Sequence, residues 1–149
     1  MTSSLRERAL RLLARREHAR AELARKLSAH SESVEELEAL LNDLSARGLL
    51  SDERYVEMRM NARSARYGNA RLAYELRTQG VSDELVDSAL GTCNDEISRA
   101  HEVLLRKFGE KYTTHDVTER ARQTRFLISR GFSGETIRRV LRGDFEEDQ

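Results

Sequence analysis

A fifteen-residue phrase recurs along this chain of 149 residues. LRTQGVSDELVDSAL at 76–90 returns as LISRGFSGETIRRVL at 127–141, and a fainter copy, LSAHSESVEELEALL, occupies 27–41. The windows align without gaps at offsets of 49 and 51 residues. Leu27, Leu76 and Leu127 correspond, as do Ser33, Ser82 and Ser133, Glu35, Glu84 and Glu135, and Leu41, Leu90 and Leu141. Apolar residues match at Leu37, Val86 and Ile137, and again at Leu40, Ala89 and Val140. A period of about 50 residues is the mark of stacked units, each too small to bury its own apolar face alone.

Each window reads as the end of one helix, a turn and the start of the next. Gly80 and Gly131 stand where a helix ends on a residue of positive φ, which glycine adopts without a Cβ clash. Val81 and Phe132 follow as the apolar residues that pack back on the finished helix, and Ser82 and Ser133 can cap the next. Glu84 and Glu135 fall in its first turn, where the helix dipole favours negative charge. The first copy has Ser31 and Glu32 in place of the glycine and the apolar residue, so a looser turn is expected there.

Working outward, helical spacing predicts nine helices. The first three cover about 3–16 (Leu5, Ala9, Leu12 and Leu13 inward), 19–28 (Leu23, Leu27) and 33–46 (Leu37, Leu40, Leu41, Leu44), the last ended by Arg47-Gly48. The next three cover 52–67 (Tyr55, Val56, Ala62), 69–79 (Leu72, Leu76) and 82–90 (Val86, Leu90). The final three cover 94–109 (Ile97, Leu104, Phe108), 116–130 (Val117, Ala121, Leu127) and 133–142 (Ile137, Val140, Leu141). Proline is absent and charged residues make up 35%, which suits helices with wide solvated faces and not a sheet. The expected fold is all-α: three tandem three-helix repeats at 1–50, 51–92 and 93–143 forming an elongated, curved array, then an acidic tail at 144–149.

Formal net charge is zero, yet it alternates along the chain. Residues 1–30 carry +5, 31–57 carry −6, 58–80 carry +4, 81–102 carry −5, 103–143 carry +6 and the tail −4. Of 26 basic residues 23 are arginine, whose planar fork suits carboxylate and phosphate. Three basic clusters stand out. Arg15, Arg16, Arg20, Arg25 and Lys26 form the first. Arg59, Arg63 and Arg66 form one stripe of a helix, with Arg71 beyond the turn. Arg106, Lys107, Arg120, Arg122, Arg125, Arg130, Arg138 and Arg139 make the densest. Such stripes could track a phosphate backbone or an acidic protein surface, or pair with the acidic third helices. Tyr67 and Phe126 are the few aromatic residues nearby, which gives base stacking little support.

Signs of catalysis are missing. His18, His30, His101 and His115 have no partner at metal-ligand spacing, so no metal or cofactor is expected. Cys93 is alone, with no CxxC and no basic neighbour, and reads as a plain thiol in a reducing compartment. Phosphate loops of the GxxxxGK[ST] or GxGxxG kind do not occur. No apolar run approaches membrane-spanning length. The Arg-rich start contains Glu7, Glu17 and Glu22 and runs in register into the first repeat, so it reads as mature structure of a cytoplasmic protein.

LLARREHARAELARKL at 12–27, RGLLSDERYVEMRMNARSARYGNARLAYELRTQGVS at 47–82 and RQTRFLISRGFS at 122–133 together resemble the RecX regulatory proteins of bacteria. The resemblance covers nearly the whole chain. It implies three tandem three-helix units and a non-enzymatic regulator that binds the RecA recombinase, chiefly its filament on single-stranded DNA. Family members generally inhibit RecA's ATPase, strand-exchange and co-protease activities, by lying in the filament groove or blocking growth at its end, and so affect DNA repair and the SOS response. Family members usually carry Ser where this chain has Ala19, in a capping box that ends at Glu22. Losing that cap is expected to cost about 1 kcal/mol and to loosen the second helix.

The alternative is a stand-alone helical DNA-binding protein, which predicts tight, steeply salt-dependent binding to free DNA. Glu35, Glu36, Glu38 and Asp43 on the third helix speak against it, whereas Arg138, Arg139 and Arg142 speak for it. The expected contact residues are Arg15, Arg16, Arg20, Arg25, Lys26, Arg59, Arg63, Arg66, Arg71, Arg122, Arg125, Arg130, Arg138 and Arg139. Reversing Arg59, Arg63 and Arg66 together is expected to weaken inhibition while leaving the helices intact. With no net charge and no heptad seam, a monomer is expected.

Overall fold

The computed structural model describes residues 3–110 and 112–143, and all regular structure among them is helical. The helices are α1 (Leu5–Arg15), α2 (Arg20–Ser28), α3 (Val34–Ala46), α4 (Asp52–Arg63), α5 (Asn69–Thr78), α6 (Asp83–Thr92), α7 (Glu96–Phe108), α8 (Val117–Ser129) and α9 (Gly134–Arg142). The acidic tail at 144–149 lies outside the described residues.

The turn chemistry is as the repeated phrase dictates. Gly80 and Gly131 hold φ of 84° and 85°. Val81 N–H donates to Leu76 O and Phe132 N–H to Leu127 O, both at 3.1 Å, closing each helix end over a buried apolar side chain. Ser33, Ser82 and Ser133 accept from the N–H groups of Glu36, Leu85 and Thr136. In the first copy side chains close the turn instead: Ser31 Oγ donates to Ser28 O at 3.3 Å, and Glu36 accepts from Glu32 N–H at 2.8 Å.

Three sequence expectations need correction. Helix α4 stops at Arg63, four residues early. Beyond it the carbonyls of Ser64 and Tyr67 accept from the buried Arg99 guanidinium at 2.9 Å each, which satisfies two acceptors of the chain as it leaves the helix. The start of α2 is not loose. Ala19 offers no side-chain acceptor, but Asp52 Oδ1 accepts from Arg20 N–H at 2.7 Å, and Glu22 accepts from Ala19 N–H at 3.2 Å. A carboxylate from α4 thus satisfies a different first-turn donor, the Arg20 N–H, and ties the helix start down without the serine. Ala62, Val117 and Ala121 face solvent, Val117 with 80% exposure. Leu127 is buried as expected, but its companion on the inner face of α8 is Gln123, whose Nε2 donates to Tyr112 O at 2.6 Å.

The chain divides into two compact units, one comprising Met1–Met58 and Leu76–Asp87, the other Arg59–Glu75 and Ser88–Gln149. In the first unit α2 packs against α1 and α3 around Leu23, Leu27, Leu41 and Leu44. In the second, α9 packs against α7 and α8 around Leu104, Leu127, Phe132 and Val140. The same close approach occurs once in each. A Cβ on Gly80 would overlap that of Ala21, and one on Gly131 would overlap that of Arg71. Ala21 and Arg71 occupy the first turns of α2 and α5, so each helix-ending glycine seats on the start of the preceding repeat's second helix.

Candidate functional site

In the first unit most of the expected contact arginines are already engaged. Arg16 grips Glu22 with both terminal nitrogens, at 3.1 and 2.6 Å, and Lys26 Nζ lies 3.7 Å from the same carboxylate. Burial pushes the Glu22 pKa up, but Arg16 and the Ala19 N–H more than offset it and leave it below the ordinary carboxylate value. The Arg16 pKa is raised, chiefly by its hydrogen bond to Glu22. Arg20 reaches Glu38 at 2.9 Å and Asn42 at 2.7 Å, and Arg25 donates to Gln79. His18 is buried beside them. Lys26 Nζ donates to its Nε2 at 2.9 Å, so the ring proton sits on Nδ1, which donates to Arg16 O at 3.1 Å. Burial, aided by the Arg16 and Lys26 charges, holds its pKa below the ordinary imidazole value.

Arg15 belongs to a different surface of the same unit. Together with Arg8, Arg11, Lys26 and His30 it lines a hollow of about 370 Å³ floored by Leu12 and Leu27. Arg8, Arg11 and Arg15 recur at i, i+3 and i+7 along α1, a stripe that helical spacing alone could have revealed.

The second unit arranges its arginines differently. Gly68 N–H donates to Arg130 O at 2.8 Å and Ala70 N–H to Gly131 O at 3.2 Å, so the α4–α5 turn lies backbone to backbone on the α8–α9 turn. A Cβ on Gly68 would overlap the Gly131 carbonyl. This seating brings Arg63, Arg71 and Arg130 around one ring, their guanidinium carbons 4.3, 4.5 and 5.2 Å from the Tyr67 centroid. Glu75, its side chain 18% exposed, receives Arg59 at 3.3 Å, Arg63 at 2.5 Å and Arg71 at 3.6 Å. Its hydrogen bond is the main cause of the raised Arg63 pKa. Three cations on one carboxylate leave a positive excess held in place by an aromatic ring.

Next to this cluster lies a hollow of about 290 Å³ lined by Arg66, Val103, Arg106, Lys107, Phe126 and Arg130. Arg130 bridges the two sites, 5.1 Å from the Phe126 centroid, and Lys107 Nζ lies 5.7 Å from the same ring. Phe108 meets Phe126 edge to face at 5.6 Å and carries Arg122 at 5.6 Å. Arg122 also lies 3.7 Å from Glu119. Arg125 and Arg138 are exposed and Arg139 is half-buried, but none of the three lines this hollow.

Two further sequence expectations change at this site. Arg59, Arg63 and Arg66 do not form one open stripe, because Arg59 and Arg63 are bound to Glu75 and Arg66 alone lines the hollow. Reversing all three would set two new carboxylates against Glu75, so the fold would not be spared. Cys93 does have a basic neighbour: Arg99 Nη1 lies 3.2 Å from its Sγ. Arg99 is itself a positioning residue the sequence does not reveal. Buried, it donates to the carbonyls of Ser64, Tyr67 and Asn94 and to Asn69 Oδ1, each at 2.9 Å, and so fixes the turn that carries Tyr67.

Among the described residues no helix is long and apolar enough to cross a membrane, and no three His, Cys, Asp or Glu side chains are grouped to hold a metal ion. Residues 51–90 match the family described as RecX, second three-helix domain, and residues 94–141 match RecX, third three-helix domain. The regulatory protein RecX of Leptothrix cholodnii is 48% identical over 97% of this chain and 92% of its own length. That of Herminiimonas arsenicoxydans is 42% identical over 97% of this chain and 95% of its own. The crystal structure of RecX from Lactobacillus salivarius superposes with a TM-score of 0.79 over 93% of both chains, at 19% identity, and so speaks to the fold.

Proposed function

Because the chain belongs to the RecX family of regulatory proteins, we propose that it acts on the RecA recombinase, binding the filament on single-stranded DNA and inhibiting its ATPase, strand-exchange and co-protease activities. The observation that carries this reading is near-full-length kinship at 48% identity to a regulatory protein RecX. It is a cytoplasmic monomer on this reading, with no reaction of its own, and its modules are the repeats at 1–50, 51–92 and 93–143.

The geometry supports the second unit as the working surface. A partner for such a surface must be anionic. The Glu75 cluster and the adjacent hollow together present Arg66, Arg106, Lys107 and Arg130 around aromatic rings, with no carboxylate among the described residues of the hollow's wall. A recombinase filament carrying DNA offers both acidic side chains and phosphates. Stand-alone DNA binding is the second reading, favoured by Arg138, Arg139 and Arg142 on α9.

The test is RecA's single-stranded-DNA-dependent ATPase rate, titrated with this protein at two salt concentrations. Inhibition is expected. Saturation well below one copy per RecA would indicate action at filament ends, and inhibition only near equimolarity would indicate binding along the groove. An unchanged rate together with tight binding to bare DNA would transfer the case to the second reading.

A further inference from the structure

The first unit holds a hollow that the second unit's working surface leaves unused. It lies between α1 and α2, with a volume of about 370 Å³. Its floor is the buried Leu27 and the half-buried Leu12, and Arg8, Arg11, Arg15 and Lys26 stand around them. Its described lining includes no carboxylate and no Phe, Tyr or Trp. Arginines close by in the chain differ in what they touch. Arg6 is paired with Asp43, and Arg16, just past the end of α1, with Glu22. Arg8, Arg11 and Arg15 have no side-chain hydrogen bond and no ion pair among the described residues. Lys26 is held by Glu22 and His18, so it joins the rim with its position fixed.

A ligand that satisfies this hollow needs negative charge in a row and an aliphatic surface beside it. The spacing of the row is set by α1: Arg8, Arg11 and Arg15 share one ridge and span about 10 Å of the helix axis. A nucleic-acid strand supplies phosphates, but its bases find no ring on the leucine floor. A polyanion without side chains of low polarity leaves the leucines unused. An amphipathic helix supplies both, because carboxylates three, four and seven residues apart fall on one ridge and aliphatic residues on the next. Apolar anchors inside a charged rim are also how protein interfaces are built.

We propose that this hollow docks an acidic amphipathic helix of a second protein partner, its aliphatic ridge on Leu12 and Leu27 and its carboxylates on Arg8, Arg11 and Arg15. The proposal goes beyond the recombinase reading and does not rest on it. Its test contains no recombinase, so failure here leaves filament inhibition standing.

The experiment measures fluorescence anisotropy of the full chain with a labelled peptide longer than about 15 residues, so that it holds a helix in water, carrying glutamates at i, i+3 and i+7 beside a leucine ridge. A twin peptide with alanine for every leucine keeps the charge and loses the anchors. The leucine peptide is expected to bind roughly ten- to a hundredfold more tightly than its twin. Arg8→Gln with Arg11→Gln and Arg15→Gln is expected to weaken binding about tenfold and to flatten its salt dependence. Because these three guanidinium groups hold no partner among the described residues, the variant's helicity and melting temperature are expected to match the parent's. Arg66→Gln with Arg106→Gln and Lys107→Gln, in the second unit, is expected to leave the peptide's affinity within about twofold of the parent's. Equal affinity for the two peptides, an equal loss in both triple variants, or an α1 variant that loses oligothymidylate binding while keeping the peptide would each overturn the proposal.

Discussion

The two units spend the same residue type in opposite ways. In the first, the cations are spread over several carboxylates with at most two on each among the described residues: Arg6 and Arg47 on Asp43, Arg16 and Lys26 on Glu22, Arg20 on Glu38, Arg54 on Glu17. In the second, Arg59, Arg63 and Arg71 crowd onto the single carboxylate of Glu75, while Arg130 rests on aromatic rings and Arg99 and Arg106 on backbone carbonyls. Dispersed pairs neutralise a surface, whereas three cations sharing one anion leave a field that a second anion can enter. The first unit does keep an open stripe on α1, but its hollow has a leucine floor and no aromatic ring among its described lining residues.

The sharpest way to break this comparison is through Arg99. Removing its side chain by Arg99→Met strands four acceptors in the second unit and frees the Tyr67 turn, with an expected loss of about 3 kcal/mol or more in urea unfolding. Arg99→Lys is expected to recover little, because a point charge cannot reproduce the fork. Next in size is Glu22→Gln in the first unit. It removes the carboxylate that Arg16 grips with both nitrogens while sparing the Ala19 bond, and is expected to cost about 2 kcal/mol.

Acid should act on the first unit through two groups whose pKa values are depressed in the fold. A depressed pKa means the unfolded chain binds the proton more tightly, so stability is present above the unfolded value and lost as pH falls toward the folded one. His18, facing Arg16, Lys26 and Glu22, therefore weakens the unit as pH drops below about 6.5, and Glu22 adds its share below about 4.3. Thermal melts from about pH 8 to about pH 3.5, a range that brackets both unfolded values, check this: His18→Gln is expected to flatten the upper step and Glu22→Gln the lower.

Glu75→Gln tests the shared anion itself. It is expected to lower stability only slightly, and to raise affinity for polyanions a few-fold at low salt with a steeper salt slope, because three arginines are released together. The smallest effect belongs to Asp43→Asn. Asp43 is paired with Arg6 and Arg47 at the surface, where solvent screens both, and the variant's melting temperature is expected to match that of the parent.

Local chemistry is legible in the sequence and long-range pairing is not. Gly80, Gly131 and the serine caps act within a few residues of themselves, so the helix ends follow from the repeated phrase. Glu75 collects arginines 4, 12 and 16 residues away, and nothing in their spacing distinguishes them from Arg66, which stays open. Asp52 caps a helix 32 residues earlier, invisible until α4 and α2 meet. On α8 the apolar Val117 and Ala121 point to the wrong buried face, because the core there accepts a glutamine that hydrogen-bonds a carbonyl. The arginine clusters are legible as clusters, but which of them faces a partner depends on carboxylates brought in by folding.

One measurement bears most directly on the second unit as the working surface. Two triple variants, Arg66→Gln with Arg106→Gln and Lys107→Gln, and Arg8→Gln with Arg11→Gln and Arg15→Gln, are titrated into the RecA ATPase assay beside the parent. If the second unit meets the partner, the first variant requires about tenfold more protein for half-inhibition and the second stays within about twofold of the parent, each substitution removing a phosphate or carboxylate contact only where a partner is met. Equal loss in both, or a loss confined to the α1 variant, would contradict it.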